Sequence, residues 1–177
     1  MSKEPTEGMK LIAKALMPDP PGTHETKELL HEVGRAIVHL SVIENMMSMV
    51  FAVLSVPVQT DIATELFHDQ GGFEKKLKLT NFMILHGGRP REIARWRPIF
   101  SQLQTHRGVR NIIAHQGMFR APPNERGQLD VSLRPPWFKK NTKGKYLKAS
   151  EIRATGDALD KIRSDIWELV KRLSESL

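Results

Sequence analysis

Residues 110–115, Arg-Asn-Ile-Ile-Ala-His, place three chemically capable side chains within six positions. The His115 imidazole can exchange a proton near neutral pH, and the Arg110 guanidinium can bind a phosphate through paired hydrogen bonds. Asn111 and His115 are four residues apart, so in a helix they share a face and the amide can orient the imidazole. Arg110 lies about 140° round a helix from His115. The two side chains therefore do not point at one atom in a single chain.

Two charged side chains interrupt predicted apolar helix faces. Glu44 lies in the apolar face of the first predicted helix, and Arg110 lies in that of the fourth. Burying either charge alone is costly, whereas a hydrogen-bonded pair offsets much of that cost. The sequence therefore predicts that Glu44 and Arg110 face each other, either as a structural ion pair or as part of a functional site. The predicted apolar face of the first helix consists of Leu30, Val33, Ile37, Leu40, Met47, Phe51 and Leu54.

The composition favours a globular protein and excludes several kinds of catalytic and metal-binding site. Of the 177 residues, 40% are hydrophobic and 27% are charged, which is typical of a chain with a packed core. No cysteine occurs, which excludes disulfides, thiolate nucleophiles and zinc sites that need sulfur. The histidines do not combine with carboxylates at metal-ligand spacing, so we expect neither a metal nor a cofactor. The net charge of +7 attracts polyanions at low salt.

The sequence carries no predicted signal peptide or membrane span. The apolar residues of 11–17 are interrupted by Lys14 and followed by prolines, so this stretch is too short for either. No other segment is expected to reach a spanning length. A P-loop, a dinucleotide fingerprint and a nucleophile elbow are also absent. We therefore expect a cytoplasmic protein with no membrane partner.

Hydrophobic periodicity predicts a mainly α protein. Residues 1–24 are expected to form a flexible tail, because prolines and a glycine close them, and residues 25–177 a single helical domain. Apolar spacing and stop signals predict helices over about 26–55, 60–68, 73–85 and 92–115, and from about 150 onward. Before the last helix, short strands near 117–120 and 128–133 indicate a small β-hairpin insertion.

The motif at 110–115 resembles that of the HEPN superfamily, which is an arginine, four to six residues and then a histidine. Arg110 and His115 have the four-residue spacing, with the polar Asn111 directly after the arginine. Glu44 resembles the acidic residue that is often paired with this motif on an earlier helix. The resemblance covers about 26–115 and the last helix, and it implies an up-and-down bundle of four to five helices. It does not extend to residues 117–146.

Active members of that superfamily are metal-independent endoribonucleases that work as homodimers, with two copies of the motif at the interface. The resemblance implies that His115 acts as a general base or acid at the ribose 2′-hydroxyl, and that Arg110 stabilises the phosphate. Asn111 would hold His115 or contact the phosphate, and Glu44 would orient Arg110. Arg110 of one copy and His115 of the other could converge. A toxin or phage-defence protein, with an antitoxin or another regulatory partner, is the implied context.

Other members of the superfamily have lost cleavage, and the resemblance therefore leaves a second function open. It is a noncatalytic dimerisation module that binds RNA, a nucleotide or a protein partner. The enzyme requires His115, whereas the module is expected to be indifferent to His115→Ala.

Residues 117–148 combine basic and aromatic side chains. The segment contains eight arginines and lysines but only two acidic residues. Four aromatic residues are interleaved with them: Phe119, Trp137, Phe138 and Tyr146. This composition suits single-stranded RNA, whose bases stack on rings and whose phosphates pair with cations. The alternative is a solvated loop whose aromatic residues cap the bundle. The candidate RNA-binding residues, including one on the preceding helix, are Arg107, Arg120, Arg134, Trp137, Lys139 and Lys140.

Overall fold

The computed structural model describes residues 24–121, 130–134 and 146–175, with the backbone alone at Arg120 and Ala121. The helices are α1 (His24–Leu54), α2 (Thr60–His68), α3 (Phe73–Gly87), α4 (Pro90–His115) and α5 (Ala149–Ser174). The strands lie between α4 and α5 and are β1 (Gly117–Ala121), β2 (Asp130–Arg134) and β3 (Leu147–Lys148). The predicted mainly α fold, with a small sheet before the last helix, is confirmed.

The observed helix ends agree with the predicted ones to within about two residues. Helix α2 has the predicted bounds, Thr60–His68, and α4 ends at the predicted residue, His115. Strand β3 was not predicted, because two residues are too few to show an alternating pattern. The interpretation of residues 1–24 as a tail falls outside the described residues, apart from His24, with which α1 begins.

Glycine and proline set the boundary conformations of α3 and α4. Gly72, at the start of α3, has a φ of 78°, a left-handed conformation that residues with a Cβ rarely adopt. After the helix, a Cβ on Gly88 would lie 2.6 Å from the carbonyl oxygen of Ile84, so the close approach requires glycine. Pro90 is the first residue of α4, where its missing N–H costs no helical hydrogen bond. Pro98 lies inside α4.

The chain divides into two compact units, each made of two segments. Of the described residues, the sheet unit comprises 24–35, 111–121, 130–134 and 146–154, and the helical unit comprises 36–110 and 155–175. The boundaries fall within α1, α4 and α5. The two units are defined by how densely their residues contact one another, and they do not test the prediction that 25–177 forms a single domain.

The three strands form an antiparallel sheet in the order β1-β2-β3 within the sheet unit. Gly117 pairs with Arg134 across β1 and β2, and Ser132 pairs with Lys148 across β2 and β3. Successive side chains of a strand point to opposite faces, and one face is apolar and buried through Val131, Leu133 and Leu147. The opposite face carries Phe119, Ser132 and Arg134.

Large apolar side chains form the core of the helical unit. The Trp96 indole is fully buried, and its Nε1 donates a hydrogen bond to the side-chain Oδ1 of Asn81 at 3.0 Å. Side chains with no exposed surface in this unit include Ile43, Met47, Val50, Phe67, Ile84, Leu159, Ile162 and Ile166. The apolar residues that recur at helical spacing along α5 are buried: Ile152, Leu159, Ile162, Ile166, Leu169 and Leu173.

The predicted buried face of α1 is partly wrong. Leu30 and Ile37 are 55% and 50% exposed, whereas their neighbours Leu29 and Ala36 are fully buried. Apolar residues occur round most of the circumference of α1, so two stripes one residue apart both fit helical periodicity. The stripe that includes Leu29, Ala36, Ile43, Met47 and Val50 is the buried one.

A buried carboxylate joins α1 to α5 within the sheet unit. The Glu32 side chain is 6% exposed, and its Oε1 and Oε2 accept hydrogen bonds from Arg153 Nε at 2.8 Å and Arg35 Nε at 3.0 Å. Arg153 also binds Glu28, and Arg35 Nη2 donates to the carbonyl oxygen of Arg153 at 2.9 Å. Each oxygen of the buried carboxylate thus has a charged donor, which offsets its desolvation.

Acid is expected to weaken this network. The hydrogen bond from Arg153, together with Arg35, holds the pKa of Glu32 below its ordinary value of 4.5, although burial acts in the opposite direction. Because the folded pKa is the lower one, this stabilisation is complete above the unfolded pKa and is lost as the pH falls through the folded pKa. Urea unfolding of the wild type and of Glu32→Gln, measured from neutral pH down to below the folded pKa of Glu32, tests the effect. The two stability curves should converge in acid, and parallel curves would contradict the assignment.

Helix α1 is long and apolar enough to cross a membrane by length and composition, with a window of mean hydropathy 1.8. This corrects the expectation that no segment reaches a spanning length. From 36 to 53 the only Asp, Glu, Lys or Arg is Glu44, which is why the window passes. One third of that window is buried inside the structure, and core helices also pass this test. The cytoplasmic location and the lack of a membrane partner stay predictions.

Candidate functional site

The motif residues lie in the last two turns of α4. The helix is continuous from Pro90 to His115, and the N–H of Gln116 still donates to the Ile112 carbonyl oxygen at 2.8 Å. Strand β1 begins at Gly117, two residues after His115. The helical backbone therefore fixes the angles between the motif side chains.

His115 and Asn111 are exposed, and Arg110 is half-buried. Arg110 and Asn111 each take part in a noncovalent interaction in the folded chain. Asn111 and His115 are one turn apart on the same side of the helix, and Arg110 lies about 140° away from His115. A single chain thus offers its imidazole and its guanidinium on different sides of one helix.

The predicted pairing of Glu44 with Arg110 names the wrong cation. The Glu44 carboxylate accepts a hydrogen bond from Nζ of Lys76 on α3. The Lys76 side chain is 10% exposed, and its Nζ lies 5.7 Å from the centroid of the Phe67 ring. The long lysine stem packs on apolar surface while its ammonium reaches the carboxylate. Glu44 therefore fits the structural alternative, a partly buried ion pair, and not the orientation of Arg110.

Arg107, three residues before Arg110 on α4, forms an ion pair with α3. Its Nη1 lies 2.8 Å from Oε1 of Glu74. Lys78 binds the same carboxylate, and Lys78 first and then Arg107 hold the pKa of Glu74 below its ordinary value. An RNA phosphate would compete with Glu74 for Arg107. The RNA-binding role of Arg107 stays a prediction.

Arg134 is the predicted RNA-binding residue whose surroundings the structure describes in most detail. Its Cζ lies 4.0 Å from the centroid of the Phe119 ring and 4.6 Å from that of Tyr146. Its Nε donates to Ser132 Oγ at 3.0 Å. The side chain of Arg120 and the residues Trp137, Lys139 and Lys140 lie outside the described part of the chain.

The other histidine near the motif is less accessible than His115. His106 is half-buried, and burial lowers its pKa, which favours the neutral imidazole. Over 24–121, 130–134 and 146–175, no three His, Cys, Asp or Glu side chains are grouped so as to hold a metal ion. Of these two histidines of α4, His115 is the more exposed.

A basic cleft lies at the start of α4 in the helical unit, apart in sequence from the basic segment 117–148, and was not predicted. It is called the arginine cleft here. It has a volume of about 1050 Å³, and its lining includes four arginines and two glutamates: Arg89, Arg91, Arg95, Arg172, Glu92 and Glu175. Arg91 and Arg95 are one turn apart at the positive end of a 26-residue helix, where like charges and the helix dipole disfavour cations. The closely spaced arginines of 89–97 are the sequence signal that could have indicated it.

Comparison with protein-family models, with curated proteins and with solved structures gives no match to this chain. The chemistry of 110–115, the geometry of α4 and the sheet that follows it in the chain are therefore the basis on which a function is assigned.

Proposed function

We propose that this chain is a metal-independent endoribonuclease of the HEPN type that works as a homodimer. Arg110 of one copy and His115 of the other act on one phosphodiester. The observation that carries the proposal is an exposed imidazole at the last residue of α4, one turn from the Asn111 amide. The resemblance of 110–115 to the HEPN motif supports it. A toxin or phage-defence role in the cytoplasm belongs to the same proposal.

In the proposed reaction, the neutral His115 imidazole takes the proton of a ribose 2′-hydroxyl. The 2′ oxygen forms a bond to the adjacent phosphorus, and the bond from phosphorus to the 5′ oxygen breaks as that oxygen takes a proton from solvent water. His115 then returns its proton to the solvent, which leaves the imidazole neutral and the proton balance closed. The products are a 2′,3′-cyclic phosphate and a 5′-hydroxyl. Arg110 binds the nonbridging oxygens, on which charge grows in the transition state. This reaction requires the 2′-hydroxyl, so RNA is the substrate and DNA is not.

A homodimer reconciles the directions of the two side chains. In one helix Arg110 and His115 point about 140° apart, so one copy does not aim both at a single phosphate. In a twofold dimer the interface is self-complementary, and Arg110 of each copy can meet His115 of the other. In this proposal Asn111, one turn from His115, holds the imidazole. Glu44, which binds Lys76, is not assigned the orientation of Arg110.

Subunit mixing tests the shared site. Arg110→Ala and His115→Ala are each expected to be inactive, and an equal mixture should recover about a quarter of wild-type activity. Half of the dimers are then heterodimers, and each of these keeps one intact site of two. Cleavage is measured on fluorescent single-stranded RNA in the presence of EDTA, with native mass spectrometry to establish the heterodimer. A heterodimer without activity would overturn the shared site, and so would an active monomer.

The second candidate function is a noncatalytic HEPN-like dimerisation module that binds RNA, a nucleotide or a protein partner such as an antitoxin. The observation that favours it is that Arg110 and Asn111 already take part in interactions within the chain, as expected for residues with a structural role. A dimer that binds RNA, does not cleave it and binds equally well as His115→Ala would support the module and reject the enzyme.

A further inference from the structure

A guanidinium lies between two aromatic rings on the face of the sheet opposite its buried face. The Arg134 Cζ is 4.0 Å from the centroid of Phe119 and 4.6 Å from that of Tyr146. Both distances are within the roughly 6 Å over which a ring attracts a cation. Phe119 comes from β1, Arg134 from β2, and Tyr146 directly precedes β3. These three residues form a layered arrangement, the Phe-Arg-Tyr stack.

The stack is anchored at its centre and exposed at the tyrosine. Arg134 Nε donates to Oγ of Ser132, which is 1% exposed. The guanidinium is also 3.8 Å from the Asp130 carboxylate. Tyr146 is 55% exposed, and Arg134 covers one face of its ring. A second flat group can therefore lie against the other face of an already oriented ring.

The charge on this face of the sheet favours an anionic ligand. Lys148 Nζ lies 3.2 Å from Asp130, the same carboxylate that Arg134 contacts. Two cations thus share one anion, and the face keeps a net positive charge. The chain as a whole carries +7, which draws polyanions toward it.

We propose that the Phe-Arg-Tyr stack binds an unpaired base of single-stranded RNA on the exposed face of Tyr146. The inference takes its ligand class from the proposed function and names the substrate as single-stranded RNA. Nucleobases stack on aromatic rings, and in a duplex neighbouring bases cover both faces, so only an unpaired base can bind in this way. The stack and His115 belong to the same compact unit, and β1 begins two residues after His115.

The single tyrosine of the chain provides a probe specific to this site. The full chain labelled with 3-fluorotyrosine gives one ¹⁹F resonance, from Tyr146. The ligand used is a 2′-O-methyl single-stranded oligoribonucleotide, which lacks the 2′-hydroxyl and cannot be cleaved. We expect the resonance to shift in a saturable way with this oligonucleotide. The same sequence as a duplex, or an abasic oligomer of equal length, should leave it in place.

Variants separate stacking from charge. Tyr146→Ala is expected to weaken oligonucleotide binding about tenfold or more, whereas Tyr146→Phe keeps the ring and the affinity. Arg134→Lys keeps the charge but loses the planar group that orders the ring, and it should also weaken binding. Trp167→Ala is the matched control, because Trp167 is 42% exposed, has Lys171 5.6 Å from its ring, and lies in the helical unit. It should bind as the wild type does.

Three results would overturn the inference. They are an equal ¹⁹F shift with the abasic oligomer, an equal shift with the duplex, and wild-type affinity of a folded Tyr146→Ala. The labelled wild-type protein gives the first two results even if Tyr146→Ala fails to fold. Base-dependent binding without any cleavage supports the stack and rejects the ribonuclease alone. Cleavage that depends on His115 and not on Tyr146 rejects the stack alone.

Discussion

Replacing His115 with alanine is expected to lower the rate of RNA cleavage roughly 10²-fold to 10⁴-fold, the usual contribution of a general base. The side chain is exposed at the last residue of α4, so its removal opens no cavity in the core. The fold and the thermal midpoint should therefore stay unchanged while the chemical step is lost. Cleavage is followed with labelled single-stranded RNA in EDTA, and the products are tested for a 2′,3′-cyclic phosphate.

His31→Ala is the matched control, since His31 is an exposed histidine on α1 and lies outside the motif. It should cleave as the wild type does. Growth of a bacterial host offers an independent measure, because the wild type should slow growth and His115→Ala should relieve it. Equal cleavage by the wild type and a folded, freshly purified His115→Ala would assign the activity to another site or to a contaminant and reject the proposed function.

The helix and strand ends could be predicted because local chemistry sets them. Gly88 ends α3 because the close approach of its backbone to Ile84 leaves no space for a Cβ. Pro90 begins α4 because its missing N–H costs no hydrogen bond at the first position of a helix. The alternation of β2 could be read in the same local way. Strand β3 could not, because its two residues gain their conformation from pairing with Ser132 and Leu133.

The buried face of α1 could not be chosen from periodicity alone. An amphipathic helix has one apolar stripe, whereas α1 has two adjacent ones, and packing selects between them. The consequence reaches beyond the core. With the face moved by one residue, Glu32 becomes a buried carboxylate, which the predicted apolar face did not include.

Long cationic side chains made the charge pairs hard to predict. The sequence showed that Glu44 needs a cation, and that part is confirmed by Lys76. It could not show which cation, because lysine and arginine stems reach several ångströms in many directions and the choice depends on how helices pack. Lys76 lies on α3, and the hydrophobic periodicity of that helix did not indicate that it supplies the cation for Glu44.

For the candidate site, the parts that depend on one helix could be predicted and the others could not. Asn111 and His115 share a side of α4 because helix geometry requires it. The Phe-Arg-Tyr stack needs the sheet register, which brings Arg134 opposite Gly117 and so beside Phe119. Composition indicated basic and aromatic residues there, but only strand pairing shows which ring faces which cation.

Glu32→Gln is expected to lower the free energy of unfolding by about 2 kcal/mol, the usual size of a lost charged hydrogen-bond pair. Arg153 and Arg35 donate to different oxygens of the carboxylate, and glutamine replaces one of these oxygens with an NH₂ group. One guanidinium then loses its acceptor and faces another donor. For a chain of this length, the thermal midpoint should fall by roughly 6 °C. The measurement is urea unfolding near neutral pH, which lies well above the lowered pKa of Glu32, so that the carboxylate is ionised.

The matched control is Glu168→Gln, which removes an equal charge from an exposed ion pair with Lys171 on α5. It should leave the urea midpoint unchanged, because solvent screens such a pair. A double-mutant cycle with Arg153→Met then separates the direct contact from the rest of the network, and the two changes should be strongly non-additive. Additive effects, or a Glu32→Gln protein as stable as the wild type, would show that this carboxylate does not hold α1 to α5.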